Sequence, residues 1–276
     1  MAAESWVTIG GFIATTASAI AAFFAVKQTM LQRTVLTKPQ IIISNQEVNL
    51  LHCSGGMFRF AIEDSNSHYD TPILIKNVGL GTALNIKYQW SFDYKKTIEM
   101  CDFIEIDEDP MISILKEKYN SGDKYFHVTD EKDSQHNYFK FISHGKLEIY
   151  GIKREHNELE YILPIAQEKL AANIEFPSLI LLLSAESAYS ETVSYESMFD
   201  PMSAGQLTIF YEDISGTVIT IRFNCIIRWI KFHSNTENGP CSTYRLEFQR
   251  VHPKTMPGLQ RLRKSYAKFM SKHYIN

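Results

Sequence analysis

The stretch TPILIKNVGLGTALNIKYQW, residues 71–90, carries the clearest fold signal in the chain. Two runs rich in β-branched and aromatic residues flank a connection that contains two glycines, which is typical of strand, turn and strand. Because glycine has no Cβ, Gly79 and Gly81 are expected to supply backbone angles that other residues avoid. The pattern predicts a hairpin here and a β-rich domain around it.

Short runs of the same kind occur along the rest of the chain and predict further strands. We expect them at residues 40–43, 57–62, 138–142, 146–152, 179–183, 206–211, 217–223 and 243–251. Residues 109–120 and 164–173 predict short helices, since a proline stands at or beside the start of each. Residues 97–137 have a weaker β pattern and are interpreted as a partly helical insertion. Together these runs predict a mainly β fold, an antiparallel β-sandwich.

Residues 6–26, WVTIGGFIATTASAIAAFFAV, carry no charged side chain. A helix needs about 20 mostly apolar residues to cross a bilayer, so this stretch predicts a transmembrane helix. A signal peptide would have a basic start and a shorter apolar core, and a buried core helix is the other alternative. Lys27, Arg33 and Lys38 follow the stretch and no cation precedes it, which predicts an outside N-terminus and a cytosolic domain. Pro39 would end the stalk, giving a boundary between residues 1–38 and the domain.

Small residues recur along this segment at positions that share a helix face. One series is Gly10, Ala14, Ser18 and Ala22, and a second is Gly11 with Thr15. Small-residue faces let two helix backbones approach closely, so one hypothesis is packing against a second copy or another membrane helix. An alanine-rich segment also produces this spacing by chance, and both interpretations stay open.

The formal net charge of −3 hides a segregation of charge along the chain. Residues 27–38 carry three basic side chains, residues 254–276 carry six, and neither segment has an acidic one. The intervening residues 39–253 hold 19 basic and 30 acidic side chains, a net charge of about −11. An acidic body repels nucleic acid and anionic lipid, whereas the basic flanks attract either. Nucleic acid is therefore not expected as a partner of the domain.

The C-terminal residues 254–276 have the pattern of a basic amphipathic helix. Its apolar stripe comprises Leu259, Leu262, Tyr266, Phe269 and Met270, and its cations are Arg261, Arg263, Lys264, Lys268 and Lys272. Such a helix can lie on an anionic membrane or occupy a groove of a partner protein. Alternatively, the stripe packs on the sandwich.

Every second position of residues 77–85 is small or an amide. These residues are Asn77, Gly79, Gly81, Ala83 and Asn85. With the apolar N-terminal segment and the stalk that ends in proline, the chain resembles a group of uncharacterised bacterial proteins. That group shares one N-terminal membrane helix, an immunoglobulin-like β-sandwich and a strand of the type I-x-N-x-G-x-G-x-A-x-N-I, which residues 74–86 contain here. The resemblance implies an architecture and no activity.

No motif in the sequence predicts a cofactor or a catalytic site. The four cysteines and nine histidines lack metal-ligand spacing, and no nucleophile elbow or phosphate-binding glycine loop occurs. The acidic residues 102–109 could attract calcium, but they lack the EF-hand spacing. A cytosolic domain keeps its thiols reduced, so no disulfides are expected.

The sequence thus predicts a transmembrane helix at about residues 6–26, a cytosolic immunoglobulin-like sandwich at 39–253 and a C-terminal amphipathic helix. The expected role is that of a binding or scaffolding protein at a bacterial inner membrane, with the lipid bilayer as its first partner and a protein partner or a second copy as another. One alternative is a membrane-perturbing effector whose helices self-associate when the sandwich senses a signal. The second is a hydrolase with an unrecognised site.

Overall fold

A computed structural model of the chain describes residues 2–53, 56–62, 70–109, 123–129, 135–168, 171–191, 200–234 and 239–251. In the N-terminal helix the described side chains begin at Gly11. The fold is mainly β, with antiparallel sheets that form a curled half-barrel and three helices. This confirms the mainly β fold class and its antiparallel sheets.

Three helices and fourteen strands are found in the described residues. The helices are α1 (Ala2–Leu36), α2 (Tyr94–Met100) and α3 (Ser178–Glu191). The strands are β1 (Ile41–Ile43), β2 (Gln46–His52), β3 (Phe60–Ile62), β4 (Thr71–Asn77), β5 (Ala83–Ser91), β6 (Phe103–Glu105), β7 (Lys124–Thr129), β8 (His136–Ser143), β9 (Lys146–Lys153), β10 (Asn157–Ile162), β11 (Ala172–Phe176), β12 (Met202–Glu212), β13 (Val218–His233) and β14 (Cys241–Arg250).

The strands form three sheets around one continuous apolar core. The largest sheet has the order β10-β5-β12-β13-β14-β2-β3, and a smaller one has the order β1-β4-β11. A third sheet, β6-β7-β8-β9, contains the parallel pair β6 and β7. Buried side chains from all three sheets, α2 and α3 belong to the same cluster, so the sheets pack against one another through shared side chains.

Several strand predictions are confirmed by the pairing. Strands β8 and β9 form the hairpin expected around residues 143–145. Strands β12 and β13 form the second hairpin, and β14 pairs with β13 as the closing strand. In β13 alternate residues are buried, as expected for a strand with one face on the core.

The hairpin expected at residues 71–90 is wrong, although both of its strands exist. β4 pairs with β1 and β11, whereas β5 pairs with β10 and β12. The glycine-bearing connection therefore passes from one sheet to another. The partners of both strands are distant in sequence, with β1 before β4 and β10, β11 and β12 after β5. Local sequence carries no information about that choice.

The strand expected at residues 179–183 is also wrong, because these residues lie in α3. All five of their side chains are at most 1% exposed, and burial continues through Ser184 to Ser187. A short apolar run does not distinguish a buried strand from a helix buried on all sides. The Asp70 carboxylate accepts a hydrogen bond of 3.1 Å from the Ser178 N–H and so satisfies a donor at the start of α3.

Three smaller expectations differ from the structure as well. The helix at residues 164–173 is replaced by a turn after Pro164 and by β11, which pairs with β4. The strand at residues 57–62 is confined to β3, and β2 was missed although Val48 and Leu50 alternate with polar residues. The helix expected at residues 109–120 lies almost wholly outside the described residues.

A buried carboxylate links α3 to two of the sheets. The Glu186 side chain is fully buried, and its Oε1 lies 2.8 Å from Lys124 Nζ on β7 and 3.5 Å from Arg59 Nε. Its Oε2 accepts a hydrogen bond of 2.9 Å from the Arg59 N–H, just before β3. Because a buried charge needs compensation, these contacts fix α3 against both sheets.

Removal of the lysine from this cluster should destabilise the fold. Lys124→Met removes the shorter of the two ion pairs of buried Glu186 and leaves Arg59 as its one cation, so we expect the free energy of unfolding to fall by about 3 kcal/mol. The matched control is Lys95→Met, which breaks the exposed Lys95–Glu105 pair and should leave stability almost unchanged. Urea unfolding followed by circular dichroism measures both. Equal stabilities of the two variants would contradict the structural role of the cluster.

Candidate functional site: the helix–sheet junction

The end of α1 is fastened to the β domain by one buried amide, Asn77, which is 1% exposed. Its Oδ1 accepts hydrogen bonds from the Gln40 N–H at 2.9 Å and the Gly79 N–H at 3.0 Å. Its Nδ2 donates to the carbonyl oxygens of Gly81 at 2.6 Å and Ile162 at 3.2 Å. Most of the predicted stalk lies in α1, which ends at Leu36, so we use the word stalk for residues 37–40. We call residues 37–40 and 77–81 the helix–sheet junction. One side chain thus joins the stalk, the 79–81 loop and the end of β10.

The two glycines of the loop are required by close backbone approach. A Cβ on Gly79 would lie 2.3 Å from the Lys38 carbonyl oxygen, and one on Gly81 would lie 1.6 Å from the Thr37 carbonyl oxygen. Neither glycine has a positive φ angle. The expectation that these residues supply unusual backbone angles is therefore wrong, and the absent Cβ serves to let the stalk pack directly on the loop.

Further contacts hold the stalk from both sides. The Val78 N–H donates to the Gln40 carbonyl oxygen at 2.9 Å, and the Tyr211 hydroxyl donates to the Pro39 carbonyl oxygen at 3.3 Å. At the nearby β12–β13 turn, hydrogen bonding by the Ser215 hydroxyl lowers the pKa of Asp213, with a smaller contribution from the positive charge of Lys38. The stalk therefore contacts both the 79–81 loop and the end of β12, and its Pro39 is buried.

The described side chains of helix α1 are not buried against the domain. Every side chain described between Gly11 and Gln32 is exposed. The large apolar ones are Phe12, Ile20, Phe23, Phe24, Val26 and Met30, with exposures from 53% to 73%. Isolated exposed apolar residues are common on protein surfaces, whereas six large ones lie on this one helix.

The structure places the small residues proposed for helix packing within α1. Ala14, Ser18 and Ala22 are exposed and recur every fourth residue, so they share one helix face, and Gly11 is exposed as well. Gly10 lies in the helix, but its environment is outside the described part.

The proposed lipid- or partner-contacting cations fall outside the described residues. They are Arg261, Arg263, Lys264, Lys268 and Lys272. Within the described residues, no group of three or more histidine, cysteine or acidic side chains is arranged to hold a metal ion. Cys101, Cys225 and Cys241 are buried and Cys53 is exposed. Burial raises the pKa of Cys101 and of Cys225 to about 12, which keeps both thiols protonated.

A histidine and a serine lie in contact at the opposite end of the domain. His52 Nε2 and Ser242 Oγ are 2.8 Å apart, as a nucleophile and its base would be. However, Ser242 is only 2% exposed, so a substrate carbonyl has no access to its oxygen. Burial also lowers the pKa of His52, which favours the neutral ring. The pair acts as a structural hydrogen bond between β2 and β14.

Two clefts are formed by described residues. One, of about 360 Å³, lies between the β8–β9 hairpin and the β5 and β11 strands, with Asp70, Trp90, Lys153 and Glu175 in its lining. Displacement of water by surrounding protein atoms raises the pKa of Asp70, and the charge of Glu175 adds to this effect. The other, an open cleft of about 640 Å³, lies between α2, α3 and the start of β12.

No family model, curated protein or solved structure matches this chain. Among the residues whose side chains the structure describes, no helix is both long enough and apolar enough to span a membrane. The site is therefore defined by its own geometry, which is that of a rigid connection between an apolar helix and a β domain. Sequence reasoning missed Asn77 as its centre, although the N-x-G-x-G spacing was the available signal.

The junction predicts a specific effect of adding one methyl group. Gly81→Ala places a Cβ on the Thr37 carbonyl oxygen and must displace the stalk, so we expect a loss of about 3 kcal/mol in stability. Hydrogen exchange at the Gln40 and Val78 N–H groups, which both belong to the junction, should become much faster.

The control for this experiment is Gly11→Ala, because a Cβ at Gly11 has no atom within 4 Å. It replaces a glycine inside a helix by a better helix former, so it should not lower stability, and exchange at both N–H groups should stay unchanged. If Gly81→Ala behaves like the control, the 79–81 loop does not hold the stalk.

Proposed function

We propose that the protein is a membrane-anchored binding or scaffolding protein, in which α1 inserts into a bilayer and the junction holds the β domain at the membrane surface. The observation that carries the proposal is the set of four hydrogen bonds by which Asn77 holds the stalk, the 79–81 loop and the end of β10 together. We call this set the Asn77 clamp. A flexible linker would suffice to keep a domain near a membrane, whereas this stalk is locked to the domain by hydrogen bonds and close packing. A locked stalk gives the domain a fixed orientation towards whatever holds α1.

Membrane insertion is supported by the sequence of α1 and by its exposed apolar side chains. Residues 6–26 hold no charge, and six large apolar side chains from Phe12 to Met30 face away from the domain. The cations that follow this stretch favour a cytosolic domain.

We also propose an immunoglobulin-like sandwich for the part of the fold next to the junction. The order β1-β4-β11 in one sheet and β10-β5-β12-β13 in the other corresponds to strands A-B-E and C′-C-F-G of that architecture. The two sheets are in contact where the Trp90 and Phe176 rings lie 4.8 Å apart. Binding through loops or sheet edges is a frequent use of such sandwiches.

A bilayer-anchored domain gains effective concentration towards any partner on the same membrane. Partners that diffuse in two dimensions meet the domain in one orientation, since the junction fixes it. This arrangement supports scaffolding without chemistry at the domain. The first partner in this proposal is the lipid bilayer, and a second protein at the cytosolic face of the same membrane is the next.

Vesicle flotation tests the anchoring. The full chain, reconstituted into phosphatidylcholine vesicles and washed with alkaline carbonate, should float with the lipid. Ala17→Lys places a charge near the middle of residues 6–26 and should weaken partition by about 100-fold, since a central lysine costs about 3 kcal/mol. Gln32→Lys adds the same charge beyond the apolar stretch and should float like the wild type. Wild-type protein that stays with the soluble fraction would overturn the proposal.

The same vesicles separate anchoring from the membrane-perturbing alternative, which the small-residue face of α1 favours. Vesicles loaded with a self-quenched dye should retain it if the protein is only an anchor. Release of dye that is lost in a Gly10→Ile, Ala14→Ile variant would instead support helices that self-associate and perturb the bilayer.

A further inference from the structure

Five aliphatic side chains are exposed on loops and strand ends near the junction. We call them the aliphatic tips. Their exposed fractions are 42% for Val78, 59% for Leu80, 42% for Ile165, 62% for Ile214 and 65% for Val218. They come from three separate connections, which are the 79–81 loop, the turn after Pro164 and the β12–β13 turn.

Hydrogen bonds place these three connections at the same end of the domain. The Ile165 N–H donates to the Asn77 carbonyl oxygen at 2.8 Å, which sets its turn beside the 79–81 loop. The Asn85 side chain donates to Glu212 at 3.0 Å, so the start of β5 lies beside the β12–β13 turn. The Tyr211 hydroxyl contacts the Pro39 carbonyl oxygen, and the stalk therefore lies among all three.

Two acidic groups at this end are turned into the protein or hydrogen-bonded to it, and a third, Glu168 in the turn after Pro164, is half-buried. Asp213 is 6% exposed and accepts hydrogen bonds from the N–H groups of Ser215 and Thr217. Glu212 accepts the hydrogen bond from Asn85. Asp213 and Glu212 keep their charge, but their carboxylate oxygens are held by donors of the protein and not presented beside the aliphatic tips. Acidic groups would otherwise oppose contact with a membrane surface.

We infer that the aliphatic tips insert into the interfacial layer of the bilayer that holds α1. The apolar helix leaves the domain from the middle of this surface, and the clamp prevents the domain from swinging away. Loop tips around an inserted helix reach the headgroup region first, and apolar side chains gain free energy by entering its acyl boundary, about 5–10 Å deep. This inference rests on the proposed anchoring and adds a second contact between the domain and the lipid.

The test uses a fluorophore on single cysteines of the full chain. Cys53 is the exposed cysteine, so Cys53→Ser gives a background whose other three thiols are buried. An environment-sensitive nitrobenzoxadiazole probe is attached at Leu80→Cys, Ile214→Cys or Phe232→Cys. Phe232 is the matched control because it is 49% exposed but lies near the other end of β13, about 45 Å along the strand from Val218.

In phosphatidylcholine vesicles that contain a lipid with a shallow spin label, the probes at positions 80 and 214 should be quenched several-fold more than the probe at 232. The emission of these two probes should also shift to the blue relative to the same labelled proteins in dilute detergent without vesicles. Flotation of each labelled protein is measured in parallel.

The outcomes distinguish the two proposals. If the labelled proteins float but all three probes are quenched equally weakly, the tips stay in water, and only this inference fails. If the proteins do not float, both the anchoring and the inference fail. If the emission of the probes at 80 and 214 is shifted to the blue to the same extent without vesicles, and this shift rises with protein concentration, the tips contact a second copy. That result overturns the inference.

Discussion

The orientation of the whole domain depends on one buried amide. Asn77 satisfies four backbone groups from the stalk, the 79–81 loop and the end of β10, and it does so with a single side chain that is almost fully buried. A hydrogen bond adds about 1 kcal/mol to stability, but a buried backbone group left without a partner costs up to about 3 kcal/mol. Partial opening of the junction therefore costs free energy, because it leaves a buried polar group without a partner. This cost makes the junction a rigid connection. Strand β1 begins immediately after it and pairs with β4 in the register that Asn77 defines.

The rest of the core is organised around α3, whose residues from Ser178 to Ser187 are all buried. A helix in that position cannot rely on a polar outer face, and its one charged buried residue, Glu186, is compensated by Lys124 and the Arg59 backbone and side chain. The two devices resemble each other physically. In both, one polar side chain inside an apolar core connects segments that are far apart in sequence, and its partners can only be satisfied in one arrangement.

The sequence predicted those parts of the fold in which a strand pairs with the strand next to it in the chain. Strands β12 and β13 alternate in polarity and are joined by a short turn, so their pairing follows from adjacent residues. The connection after Asn77 shows the opposite case, since β4 and β5 are equally regular but belong to different sheets. The run Leu179 to Leu183 has the composition of either a strand or a buried helix, and only its surroundings decide. For the same reason the site was predicted in part: the apolar helix and its prolyl stalk were evident, whereas the amide that holds them acts through contacts 37 residues apart.

The pairing of β1 with β4 has a mechanical consequence. The chain leaves α1 through the stalk and continues as β1, which runs antiparallel to β4. Ile41 lies opposite Asn77 and Ile43 opposite Ile75. A pull on α1 along the strand axis would load these backbone hydrogen bonds and the Asn77 bonds together, in shear, because none can open before the others stretch. A load perpendicular to the strands would open them one at a time. The connection between α1 and the domain is thus strongest against a pull along β1 and β4. A lateral movement of the helix end in that direction would be passed on to the domain.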